Sequence, residues 1–105
     1  MTYTVFITPE AEANIHESFI YIRERSPINA DRWLAGIQRK ISTLSSFPNR
    51  CARAREHAYF PKRNLRQLIY KSHRIIFEVE AKARIVRIVY VRHAARRSIG
   101  EPDED

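Results

Sequence analysis

The chain has 105 residues, 44% of them hydrophobic and 30% charged, with one cysteine and only two glycines. This fits one ordinary globular domain around one core; it excludes a collagen-like or Gly-rich linker protein, an internal disulfide and a cysteine-rich zinc site. Apolar runs are too short to cross a bilayer, and no basic start with an apolar stretch marks a secretory leader, so a cytosolic protein without membrane association is expected.

The net charge of +7 is unevenly placed. Residues 1–49 carry five basic and five acidic side chains, whereas residues 50–100 carry fourteen basic and three acidic ones. Glu101, Asp103, Glu104 and Asp105 then form an acidic tail. A single domain over 1–100 followed by the tail 101–105 is the expected organisation. The positive second half points to a polyanionic or acidic partner, the alternative being a solvated basic surface.

Tyr3-Thr4-Val5-Phe6-Ile7 reads as a short strand that stops at Thr8-Pro9. Thr8 can cap a helix with Pro9 at its first position and Glu10 and Glu12 near its positive end. Ala11, Ile15, Phe19 and Ile22 recur at helical spacing, and Ser26-Pro27 closes the segment. The same punctuation opens a second helix: Ser26 caps, Pro27 follows, and Ala30, Trp33, Leu34, Ile37, Ile41 and Leu44 form its apolar stripe as far as Phe47-Pro48. The short connection predicts an antiparallel helical hairpin, with Tyr21 and Trp33 read as core residues. Between Asn49 and Asn64 periodicity is lost, and a basic surface loop is expected.

Leu65–Lys71, Arg74–Glu80 and Arg84–Arg92 have strand character and are joined by short turns, which predicts an antiparallel meander. With the first strand at an edge, the order is β-α-α-β-β-β. This is an α+β domain whose helical hairpin covers one face of a small, mainly antiparallel sheet. Alternation along the strands directs Ile75, Phe77 and Val79 toward the helices, along with Val86, Ile88 and Tyr90. Parity of the first meander strand is ambiguous. If Leu65 and Ile69 are buried, Arg66, Arg74, Arg87 and His93 share one exposed basic face.

Several segments carry a family resemblance. Val5-Phe6-Ile7-Thr8-Pro9-Glu10-Ala11-Glu12, Pro27-Ile28-Asn29-Ala30-Asp31-Arg32-Trp33, Leu65-Arg66-Gln67-Leu68, His73-Arg74-Ile75-Ile76-Phe77 and Val91-Arg92-His93-Ala94-Ala95-Arg96-Arg97 occur in the order found in the RelE/ParE toxin superfamily. The last segment is similar to the Val-Arg-His-Gly-Ala-Arg ending of many ParE-like toxins. The resemblance spans essentially the whole chain, is closest to ParE-like toxins, and implies the same β-α-α-β-β-β fold. It implies a toxin of a type II toxin–antitoxin system, neutralised by a cognate antitoxin with an acidic segment, and requiring no cofactor.

ParE-like members inhibit DNA gyrase, whereas RelE-like members cleave mRNA on the ribosome. For RelE-like cleavage the resemblance places Arg74 on the scissile phosphate, His93 in the acid/base pair and Arg66 among the assisting cations. Lys62, Arg63, Arg87, Arg92, Arg96 and Arg97 are candidate contacts to nucleic acid or a target. The RNA-cleaving branch usually ends in a catalytic tyrosine. No tyrosine follows Tyr90 here, and His73 stands where the family often has Tyr. ParE-like gyrase inhibition is therefore the first reading, with ribosome-dependent mRNA cleavage as the alternative. The structural readings of the same residues are cross-strand pairs of Arg66 and Arg74 with Glu78 and Glu80, and a backbone hydrogen bond at His93. The four histidines lack metal-ligand spacing, so no metal is expected.

Overall fold

The computed structural model describes residues 2–96 and 98–100; Arg97 and the acidic tail lie outside the described residues. The chain runs β1 (Thr4–Ile7), α1 (Pro9–Arg23), α2 (Pro27–Ser42), β2 (Leu65–Tyr70), β3 (His73–Glu80) and β4 (Ile85–His93). The sheet order is β1-β4-β3-β2, with β1 parallel to β4 and the other pairs antiparallel. The expected α+β architecture and helical hairpin are present.

Each helix starts as its caps dictate. The Thr8 hydroxyl accepts from the Ala11 N–H at 3.2 Å and donates to the Ile88 carbonyl at 2.8 Å, so one side chain caps α1 and ties it to β4. The Ser26 hydroxyl accepts from the Asn29 N–H at the head of α2. Ala11 and Ile15 of α1 meet Trp33, Ile37 and Ile41 of α2 over Ile75, Phe77, Val79, Val86 and Ile88 of the sheet, which makes the main core. Trp33 is 4% exposed, as its spacing predicts, but Tyr21 is 60% exposed. Tyr21 lies at the outer edge of α1 beneath the Arg25 guanidinium, 3.8 Å from the ring centroid, and is not core.

A bulge changes the sheet's parity. Ile76 pairs with Tyr90 but Phe77 with Ile88, which leaves Val89 as the extra residue of β4 and turns over every later side chain of that strand. Val91 therefore enters the main core, whereas Tyr90, expected beside Val86 and Ile88, packs on the opposite face. Beyond Ile88 the partner β1 has ended, and the side-chain oxygen of Asn14 in α1 accepts the Val91 N–H at 3.1 Å.

The face away from the helices is not open along its length. The segment between α2 and β2 bridges the free edge of β2, pairing Ala54 N–H with the Leu65 carbonyl and Gln67 N–H with the Ala52 carbonyl, and then turns over this face. Ala54, Leu65 and Ile76 form a second small core there, joined by Phe60, Val89, Tyr90 and Ile99. The expected surface loop is thus partly a covering layer, held by short 3-10 turns at Pro48–Arg50 and Arg55–Ala58.

Candidate functional site

The four residues expected on one exposed basic face do not share it. In β2, Leu65 aligns with Glu78 and Ile69 with Arg74, which puts Leu65 and Ile69 on the face away from the helices and Arg66 on the helix-facing side. Arg66 donates to the Cys51 carbonyl at 2.7 Å, to the Asn49 carbonyl and to the Asn64 side chain, so it fastens the covering segment to β2. His93 follows the bulge and aligns with His73, toward the helices. Arg74 and Arg87 remain on the far face, with Arg92 aligned to Arg74.

Arg74 is only 1% exposed. It forms a two-pronged pair with Glu56, at 2.9 and 2.8 Å, and a third bond to the Gln67 side-chain oxygen at 2.9 Å. Glu56 also accepts the Ile99 N–H at 3.0 Å, so the pair pins the backbone at Ile99 to the covering segment. Burial pushes the Glu56 carboxyl up, but the bonds from Arg74 and Ile99 outweigh it and hold the group below the ordinary carboxylate value. The expected partners Glu78 and Glu80 are taken instead by Arg63 at 3.0 Å and Arg87 at 2.7 Å, both partly exposed pairs of small energetic worth. Glu56 escaped the sequence reading. Its signal was its isolation, because it is the only acidic residue between Asp31 and Glu78 in a basic stretch.

On the helix side, a groove of about 680 Å³ runs between α1, the head of α2 and the ends of β3 and β4, with Tyr21, Trp33, Lys71, His73, His93 and Arg96 among its walls. The rings of Trp33, His73 and His93 contact in series edge to face, with centroids 5.2 and 5.5 Å apart. His93 Nδ1 accepts the Ala95 N–H at 3.1 Å, the expected backbone bond, which leaves the proton of the neutral ring on Nε2. Burial and the neighbouring His93 both lower the His73 pKa. Among the described residues, Trp33 Nε1 and His73 Nδ1 are buried without a hydrogen-bond partner. The sequence marks His73 only as a departure from a family pattern; it is the hairpin geometry that brings it against His93.

Lys62 is exposed at the turn before β2, Arg63 is held by Glu78, and Arg96 is exposed just beyond β4. No cluster of potential metal ligands occurs among the described residues, and none of their helices is long and apolar enough to cross a membrane. The arrangement offers a cationic, aromatic groove on one side and a sequestered arginine on the other. Arg74 cannot reach a phosphate without breaking a buried ion pair.

The geometry has known counterparts. A chromosomal ParDE toxin–antitoxin structure from Pseudomonas aeruginosa superposes with a TM-score of 0.72 at 16% identity, covering 88% of this chain and 96% of that one. The RelBE2 toxin–antitoxin complex of Mycobacterium tuberculosis gives 0.62 at 23% identity, covering 89% and 99%. No curated relative matches the sequence significantly. The family model of the ParE toxin of the type II toxin–antitoxin system parDE matches residues 5–98. With nearly its whole length matched by that model and the superfamily's strand–hairpin–meander fold in place, the chain belongs to the ParE toxin family of type II toxin–antitoxin systems.

Proposed function

We propose that this toxin acts through protein–protein contact on DNA gyrase and is neutralised by a cognate antitoxin, both in the cytoplasm. The observation that carries the reading is the burial of Arg74 in its pair with Glu56. Cleavage of RNA by its own 2′-hydroxyl needs a cation on the scissile phosphate and proton-transfer groups within hydrogen-bond reach of that phosphate. The arginine suited to that role is committed elsewhere, and His93 leaves the sheet on the opposite face. Contact with a protein target needs no such convergence.

The antitoxin partner is supported by family membership, by the two complexes of similar fold, and by the charge of residues 50–100. Arg92 and Arg96, with Arg97 beyond them in sequence, form the basic end expected to meet an acidic segment. The second reading, ribosome-dependent mRNA cleavage, is favoured by the His73–His93 pair in a groove that also carries Lys71 and Arg96.

Purified toxin tested on gyrase supercoiling and on ribosome-bound mRNA separates the two. Inhibited supercoiling with intact mRNA is the expected result. Cleavage in the ribosomal A site that disappears in a folded His93→Ala variant would replace the first reading with the second.

A further inference from the structure

Phe47 combines three unfavourable features. It is 73% exposed, its φ and ψ of 48° and 54° lie in the left-handed region, and it precedes a proline. Bulky side chains rarely adopt that backbone, and the residue before proline disfavours helical dihedrals. An exposed phenylalanine recovers none of this by burial, and glycine or asparagine would fill the position at less cost.

The surroundings nevertheless hold the turn firmly. The Arg50 guanidinium donates to the Ser46 carbonyl at 2.6 Å, the Phe47 carbonyl at 3.1 Å and the Thr43 hydroxyl at 3.2 Å. Pro48 is buried beneath, and the Tyr3 N–H bonds the Ser45 carbonyl at 2.8 Å. Arg84, whose φ of 54° is also positive, as is that of Lys71, lines with Phe47, Tyr3 and Arg50 a hollow of about 540 Å³ that has no carboxylate among the described residues of its wall. None of the ion pairs among the described residues uses Arg84.

A strained residue kept in place by its neighbours points to function, and an exposed aromatic that shares a hollow with an arginine making no ion pair among the described residues has the composition of a protein interface. We infer that Phe47 is a preorganised anchor by which the toxin docks on its target, a protein presenting an apolar pocket with a carboxylate at its rim to receive Arg84. Charge selects the occupant: among the described residues the hollow has cationic and no acidic walls. The Arg50 guanidinium keeps its charge but spends its donors on the Ser46 and Phe47 carbonyls and the Thr43 hydroxyl, whereas Arg84 makes no ion pair among the described residues. A single available guanidinium fork suits one carboxylate better than a nucleic-acid backbone with a phosphate at every step. This deepens the proposed function and rests on its premise that the toxin works by touching a protein.

The test uses full-length Phe47→Asn, Phe47→Gly and Arg84→Glu, induced in bacterial cells and also purified with the antitoxin. Asparagine and glycine suit the left-handed backbone, so at least one Phe47 variant is expected to melt at or above the wild-type temperature. That variant is expected to copurify with antitoxin as wild type does and to arrest growth at least about tenfold less effectively, the loss of one anchor contact. Arg84→Glu should behave alike in the last two respects. Wild-type toxicity in both Phe47 variants overturns the inference, as does a loss seen only with a lowered melting temperature. Loss of antitoxin copurification would assign the face to the antitoxin instead. Loss in Arg84→Glu alone would indicate a polyanion. A wild type that arrests growth without inhibiting gyrase removes the gyrase reading but leaves the anchor standing, whereas a wild type that does not arrest growth removes both.

Discussion

Arg74 and His93 stand one position apart in the register of β3 and β4, yet leave the sheet on opposite faces. Arg74 lies under the covering segment with Glu56, and His93 meets His73 edge to face at the end of the groove. The two residues therefore have separate duties, and their substitution has separate consequences.

Arg74→Ala strands the Glu56 carboxylate in the second core and is expected to cost about 3–5 kcal/mol. The double substitution Arg74→Met with Glu56→Leu replaces the pair by apolar groups of similar size and should recover most of that loss. His93→Ala, at an exposed position, should change stability by about 0.5 kcal/mol or less. Urea midpoints of the four proteins check this; an Arg74→Ala variant within about 1 kcal/mol of wild type would contradict the buried pair. Any loss of toxicity in Arg74→Ala must accordingly be compared with its folded fraction.

Acid should destabilise the protein in two steps. The His73 pKa is depressed in the folded state by burial and by His93, so the unfolded chain takes up the proton first. Its contribution is complete above the unfolded value of about 6.5 and is lost as pH falls toward the lower folded value. Glu56 is depressed as well, by bonds that outweigh its burial. Its contribution is complete above the unfolded value of about 4.3 and disappears as pH falls through the folded one. Melting temperature against pH should show both declines, and His73→Gln should lack the first.

Gly36 lies in the interior of α2, where alanine would ordinarily improve the helix by about 1 kcal/mol. Here a Cβ would run into the hydroxyl of Tyr70, which is itself buried and donates to the Trp33 carbonyl at 3.1 Å. Gly36→Ala should instead destabilise by about 1–3 kcal/mol. Adding Tyr70→Phe, which removes the colliding oxygen, should return part of it. A Gly36→Ala protein more stable than wild type would show that the ring moves aside freely.

Trp33→Ala empties the junction between the helical hairpin and Tyr70 and His73, and should cost about 3–5 kcal/mol. Ser26→Ala removes only the cap of α2 and should cost about 1 kcal/mol. Denaturant unfolding distinguishes the two, and an unchanged midpoint in Trp33→Ala would refute its place in the core.

Association with antitoxin should slow as salt rises, because the basic second half steers an acidic partner over distances that counterions screen. Stopped-flow rates at low and moderate ionic strength measure this, and salt-independent rates would exclude charge steering.

Local information was sufficient for the elements. Thr8-Pro9 and Ser26-Pro27 satisfy the first N–H groups of a helix wherever they occur, and the stripes from Ala11 to Ile22 and from Ala30 to Leu44 suit helical geometry. The three later runs alternate as strands do, so the fold followed from nearest-neighbour chemistry. The faces of the sheet did not. One extra residue at Val89 reverses the side-chain alternation beyond it, at the point where β1 ends and Asn14 takes over the Val91 N–H. Burial of Arg74 likewise depends on Glu56, eighteen positions earlier, and the meeting of His73 with His93 on a hairpin register. Residues distant in sequence interact through space, so these pairings exist only once the covering segment and the sheet have packed together.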